Sequence, residues 1–253
     1  MPSSVTSCSR KRRPQTPDAL SRLKRYVNAW SRHHRSGGFG IHSPYAYRFV
    51  RHVWRQPLPY YAYEGIHQLI KAIKAGTTRR QRRDMDLVSE KEARLLFRVA
   101  NFFNPQCILQ VGAATGVESA AMLEVSHGSR LSLYDPMLEN NPLAVRVLQS
   151  QLHRVECYDD IQVATDEFLG ISADGESPLM ALVNIPVEDA VLNRLLDARC
   201  VLMLRNLSRN PLMKALFDAC RRHMQAGQTY TNDKIAIVIP NPKLQREDFV
   251  LWL

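Results

Sequence analysis

The chain has 253 residues, 45% of them hydrophobic, with 34 Lys and Arg against 24 Asp and Glu and a formal net charge of +10. That length suits one substantial α/β core with an N-terminal extension, and no apolar run approaches the ~20 residues of a membrane helix. The five cysteines are scattered, odd in number and free of CxxC spacing, which argues against a disulfide framework or a zinc site and for a reducing, cytoplasmic compartment.

Residues 1–17 (MPSSVTSCSRKRRPQTP) are rich in Ser, Pro and Arg and read as a disordered basic tail; no apolar segment follows to make a secretory signal. From Asp18 the apolar residues Leu20, Leu23, Val27 and Trp30 recur at helical spacing, predicting an amphipathic helix to about His34. Gly37, Gly38 and Gly40 interrupt the chain, and Ser43-Pro44 starts another helix with a capping hydroxyl and a proline at its first position. Pro57 and Pro59 end it; Tyr60–Ala75 predicts a further helix and Thr77–Met85 a charged linker. Residues 1–83 hold 18 Lys and Arg against only Asp18 and Glu64, a net +16, whereas residues 84–253 carry a net −6. An acidic body thus carries a basic front end. A solvated tail with basic helices docked on that body accounts for this, as does contact with nucleic acid or an anionic membrane.

Ser89 caps a helix whose apolar residues run from Ala93 to Phe103. Beyond Pro105 strands and helices alternate. Strands are predicted at 107–111, 131–135, 160–164, 180–185, 200–204, 234–239 and 248–253, with helices at 117–126, 142–153, 187–197 and 211–225. This predicts a doubly wound, mostly parallel seven-stranded sheet covered on both faces. The last two strands have a short connection and are expected to pair antiparallel. The expected division is the tail 1–17, a helical extension 18–88 and a Rossmann-like domain 89–253.

The most informative run is CILQV-GAATG-VESAAMLEV, an apolar strand, a small-residue turn and a helix start. In doubly wound sheets the first such turn is where nucleotide-like ligands bind, with free amides at the helix start. The alternating pattern, this turn and the terminal hairpin resemble the class I S-adenosylmethionine-dependent methyltransferases. The segments GFGIHSPYAYRFVRHV, YYAYEGI, EARLLFRVANFFNP and DFVLWL resemble one bacterial subfamily of that class, found mainly in the Bacteroidetes lineage and marked by a Gly-x-His-Ser-Pro-Phe/Tyr signature. The resemblance covers roughly residues 37–253. It implies a Rossmann-like fold and S-adenosylmethionine as cofactor.

The resemblance transfers residue by residue. The family's acid-x-Gly-x-x-x-Gly motif is met by Gly112 and Gly116, with Ala113 between them, while Gln110 replaces the acid. Asp135, ending RLSLYD, matches the acid that holds the ribose hydroxyls; its other reading is Asp-Pro turn chemistry. Asp166 in VATDEF matches a position near the adenine, with Glu167 a near competitor. At the catalytic edge, relatives carry acids where this chain has Asn184, Arg205 and Asn206. Two amides and an arginine do not make a Mg²⁺ site, so metal dependence is not expected. Arg205 reads either as a grip for an anionic acceptor or as a replacement tolerated after loss of activity. His42, with Ser43 and Pro44, reads as part of a lid over the cofactor or acceptor, or as a helix cap with its imidazole bonded to backbone. Tyr45, Tyr47, Tyr60, Tyr61 and Tyr63 line an acceptor pocket or pack the front helices. No general base is evident, with His153 and His223 placed on helices; methyl transfer needs little beyond in-line positioning.

The sequence therefore points first to a metal-independent methyltransferase acting on a small-molecule or anionic acceptor, with Gln110, Gly112, Ala113, Gly116, Asp135 and Asp166 around the cofactor and His42, Asn184 and Arg205 near the acceptor. The alternatives are a catalytically inactive scaffold of the same fold, and a nucleic-acid-binding or modifying protein working through its basic N-terminus.

Overall fold

Strand β1 (Cys107–Val111) is buried along its whole length, as a central strand covered on both faces must be. It pairs in parallel with β2 (Arg130–Tyr134) on one side and β4 (Met180–Val183) on the other. With β3 (Val155–Tyr158), β5 (Val201–Leu204), β6 (Gln228–Thr231), β7 (Ala236–Ile239) and β8 (Glu247–Val250), it builds an eight-stranded sheet of order β3-β2-β1-β4-β5-β7-β6-β8. The computed structural model describes residues 30–34, 36–171 and 177–253. The predicted tail and most of the helix over 18–34 lie outside the described residues.

The expected α/β architecture is present: a mostly parallel sheet with helices on both faces and an antiparallel pair near the C-terminus. That hairpin differs in membership from the expected one. β7 runs antiparallel between β5 and β6, and β8 pairs with β6 in parallel instead of with β7. β6, with the sequence QTYT, is too polar to read as a strand, yet all four residues are buried between β7 and β8. A second correction concerns β3. The β-branched stretch over 160–164 is helical, because the Asp160 carboxylate accepts from the amides of Gln162 and Val163 and opens a helix. The strand is the preceding VECY, an edge strand without an apolar run.

One face is covered by α1 (Pro44–Phe49), α4 (Glu90–Phe103), α5 (Val117–Leu123) and α6 (Pro142–Leu148), whose apolar residues meet Ile108, Leu131, Leu133 and Leu182. The other is covered by α7 (Ile161–Ile171), α8 (Asp189–Asp197) and α9 (Pro211–His223) against Leu109, Val111, Val183 and Leu204. The alternation of β1 side chains between faces directs Gln110 beneath α5.

The helix α2 (Ala62–Ala75) forms an outer layer on α4 and α5 through Ile66, Ile70, Phe97 and Val117. Helix α1 continues as a π-helical turn, Val50–Trp54. Its loosened carbonyls on Val53 and Trp54 receive the buried Arg98 guanidinium, which also donates to the Tyr63 hydroxyl. The segment expected as a charged linker contains α3 (Arg79–Asp84), opened by a capping box between Thr78 and Gln81.

Candidate cofactor cleft

The β1–α5 turn requires its glycines for two separate reasons. Gly112 has φ +86°, and a Cβ there would lie 3.2–3.3 Å from Ile185 and Asn184. Gly116 has φ +77°, and a Cβ would lie 3.0 Å from the Ala144 carbonyl, so this glycine lets α5 approach α6. Asn141 completes the joint: its Oδ1 accepts from the Ala144 amide and its Nδ2 donates to the Ala114 carbonyl at 2.7 Å. Asn141-Pro142 is a cap-and-proline pair, a signal legible in the sequence.

Above this turn lies a cleft of about 560 Å³ at the carboxyl ends of β1, β2, β4 and β5. It sits where strand order reverses between β1 and β4, the usual ligand position in such sheets. Gly112, Ala114, Asp135, Met137, Asn184 and Ile185 form the floor and sides, and Arg83, Asp84, Asp86 and Arg209 form the lip. The Asp135 carboxylate accepts from the Ala113 amide and from the Met137 amide, both at 2.8 Å. It thereby ties the first turn to the second. Each of its oxygens keeps a lone pair for a further donor.

The residues beneath the floor form a continuous buried network. Gln110 is fully buried; its Nε2 donates to the Gly112 carbonyl at 2.9 Å and its Oε1 accepts from the Ser119 hydroxyl. Asn184 Nδ2 donates to the same carbonyl at 2.7 Å, so both lone pairs of the Gly112 oxygen are taken. The Arg205 Nη1 donates to Asn184 Oδ1 at 3.1 Å, pairs with Glu118, and lies 3.4 Å from the Asp86 carboxylate. Burial pushes the Glu118 carboxyl above the ordinary carboxylate range, offset in part by Arg205. Asp86 also accepts from Asn206 Nδ2 at 2.6 Å and from Arg209 at 2.9 Å.

The sequence-predicted residues therefore divide. Gly112, Asp135 and Asn184 line the cleft; Gln110, Ala113 and Gly116 support it from behind; Arg205 is buried next to it and engaged by Glu118. Asp166 lies in the middle of α7, exposed and paired with Arg194, because the acid that follows β3 is Asp159-Asp160, before the helix. His42 is exposed. Its neighbour Ser43 caps α1 and accepts from Gln228 Nε2 at 3.0 Å. Leu204 pairs with Ala236 and Ala236 with Thr231, so Gln228 and the His42 segment lie at the end of the sheet opposite the cleft. Tyr60 and Tyr63 pack on Phe97, and Tyr61 donates to the Glu124 carbonyl. Among the described residues the close His–carboxylate pairs are His67–Glu90 and His223–Asp197, both outside the cleft.

Sequence reasoning missed Glu118, Asp86 and Arg209. Glu118 stands in a helix start where an acid ordinarily serves the macrodipole, and nothing local marks it as the partner of Arg205. Next to the cleft, and sharing the Asp86–Asn206–Arg209 wall, is a smaller polar cavity of about 270 Å³ that includes Ser89, Ser208 and Lys234.

No protein-family model and no curated protein matches the chain. Solved structures do. The fold is similar to a methyltransferase from Geobacter sulfurreducens, with 20% identity, a TM-score of 0.50 and coverage of 73% of this chain and 91% of that one. It is also similar to an SAH-bound methyltransferase of Podospora anserina, with 10% identity, a TM-score of 0.50 and coverage of 90% and 98%. The chain has the Rossmann-like fold that these methyltransferases share.

Proposed function

We propose that the protein is an S-adenosylmethionine-dependent methyltransferase that works without a metal ion on a small-molecule acceptor. The observation that carries this reading is the cleft itself, open at the switch point of a methyltransferase-type sheet, with Gly112 below it and Asp135 at its side. A volume of about 560 Å³ lies in the range of small-ligand sites. The lining fits the cofactor's chemistry. Asp135 retains acceptor capacity for a ribose diol, and Met137 and Ile185 offer apolar surface to a flat base. The lip carries both signs of charge, Asp84 and Asp86 with Arg83 and Arg209, as a zwitterionic amino-acid group requires.

When bound, the cofactor supplies an electrophilic methyl group on a sulfonium. The chain's contribution is positioning. The turn over 112–116 holds the floor rigid through Gln110, Asn184 and Asn141. Asp135 orients the ribose, and the Asp86–Arg209 pair holds the lip beside the smaller polar cavity, where the acceptor binds. Metal independence is supported by the donors at the strand ends, where Asn184, Asn206 and the Glu118-paired Arg205 offer no set of free carboxylates to a hard cation. The Bacteroidetes-type subfamily suggested by the Gly-x-His-Ser-Pro segment belongs to this proposal.

Titration calorimetry with S-adenosylmethionine and its demethylated product tests the reading. Binding of both ligands is expected, weakened at least tenfold by Asp135→Ala. Absence of heat and of a thermal shift at millimolar ligand rejects it. One observation favours a second reading, a non-catalytic binding protein of the same fold. The Gly112 carbonyl, the acceptor nearest the floor, is saturated by two side-chain amides. Turnover of any methyl acceptor removes that second reading.

A further inference from the structure

The most concentrated charge on the described surface stands at the lip of the cleft. Between residues 71 and 83 there are six cations, Lys71, Lys74, Arg79, Arg80, Arg82 and Arg83, and no acid. The fold gathers them. Arg82 folds back to donate to the carbonyls of Lys74 and Thr77, which fastens the end of α2 to α3. All but Arg82 are exposed. Among the described residues only Arg80 has a carboxylate within ion-pair reach, Asp84 at 3.8 Å. Arg83 itself lines the cleft.

We propose that this lip is a docking surface for the phosphate backbone of single-stranded nucleic acid. Four arginines in six residues repel one another, and a polyanion relieves that repulsion while releasing its own counterions. Arginine forks match phosphate oxygens in pairs. An anionic membrane is the poorer match. A surface-bound helix needs an apolar face to insert, and α3 has the sequence RRQRRD with no buried residue. None of the large exposed apolar side chains falls between residues 71 and 83. A single strand fits better than a duplex because an unstacked base can leave the backbone. The polar cavity with Ser89, Ser208 and Lys234 stands just inside the lip, next to Asp86 and Arg209. This surface binds whether or not the cleft transfers a methyl group, so its test needs no turnover.

The test is fluorescence anisotropy of a labelled 20-nucleotide single-stranded RNA with the full chain over a salt series. Two variants of equal charge change are compared: Arg79→Glu with Arg83→Glu at the lip, and Arg222→Glu with Lys243→Glu at the opposite end of the sheet. The wild type is expected to bind with an affinity that falls log-linearly with salt. The lip variant weakens binding on the order of tenfold and lowers the salt slope by about 1.4, the value for two phosphate contacts on a single strand. The distal variant leaves both nearly unchanged. Thermal unfolding checks that the lip variant is folded, and Arg79→Gln with Arg83→Gln replaces it if it is not. Equal losses in both variants, no loss at the lip, or tighter binding to a duplex of the same sequence overturns the proposal. So does a lip variant that leaves phosphatidylserine vesicles yet still binds RNA.

Discussion

Two sets of arginines flank the same cleft and live under opposite rules. Arg205, beneath the floor, is 3% exposed and is bound by Glu118, Asn184 and Asp86. The arginines of α3 other than Arg82 are exposed, and among the described residues only Arg80 of them has a carboxylate within ion-pair reach. Burial forces a charge to bring its partners with it. An exposed charge is solvated and can stay free for a visitor. The anomaly that Arg205 presents in the sequence, a cation at a ligand-binding edge, is therefore answered inside the protein. The cations available to a ligand are those the sequence presents as a linker.

That contrast can be broken most directly at its buried pole. Glu118→Ala removes the whole carboxyl that Arg205 donates to and should cost about 3–5 kcal/mol, as expected when one partner of a buried pair is lost; urea denaturation measures it, and a cost below about 1 kcal/mol would mean that Asp86 alone compensates Arg205. Gly116→Ala should cost about 1–3 kcal/mol, from positive φ and the close Ala144 carbonyl, read as a lowered Tm. Asn184→Asp removes one donor from the Gly112 carbonyl and places a carboxylate against Arg205. It should cost about 1–2 kcal/mol while tightening S-adenosylmethionine several-fold in calorimetry, and unchanged affinity would place the ammonium end away from the floor.

A pH series sharpens the comparison further, because a buried acid and an exposed one are shifted in opposite directions. Glu118 is raised, so the unfolded chain releases its proton first, and its share of stability declines as pH rises from about 4.3. Asp248 feels desolvation, which raises it, but the bonds from Arg221 and Thr229 outweigh this and leave it lowered. Its share is present above about pH 3.9 and is lost as pH falls through the folded value. Denaturation midpoints should lose the first slope in Glu118→Gln and the second in Asp248→Asn. The smallest effect belongs to the exposed pole: Arg79→Glu with Arg83→Glu should leave unfolding free energy within about 0.5 kcal/mol of wild type.

Much of the fold is legible in the sequence because its signals are local. Ser89 and Glu92 announce α4, Asn210-Pro211 announces α9, and the apolar runs of β1, β4 and β5 lie where they are predicted. The failures share a cause. QTYT is a strand only because β7 and β8 provide its ladders and Tyr230 packs on Phe49 and Phe249. IQVAT is a helix only because Asp160 caps it. In the site, Gly112 and Asp135 are legible from the turn and the strand end, whereas Asp166 follows from the misplaced third strand. His42 is a case where a segment's motif gives no hint of which end of the sheet it meets.

By itself, then, the sequence determined the strand–turn–helix at 107–123, the doubly wound alternation and the uneven charge, since each rests on neighbours within a few residues. Only the tertiary structure decided what the unusual polar residues do. Arg205 finds Glu118 from 87 positions away, and Asn206 finds Asp86 from 120. A buried charge or amide must be satisfied by whatever the packing brings to it, and such partners leave no periodicity, cap or spacing in the chain.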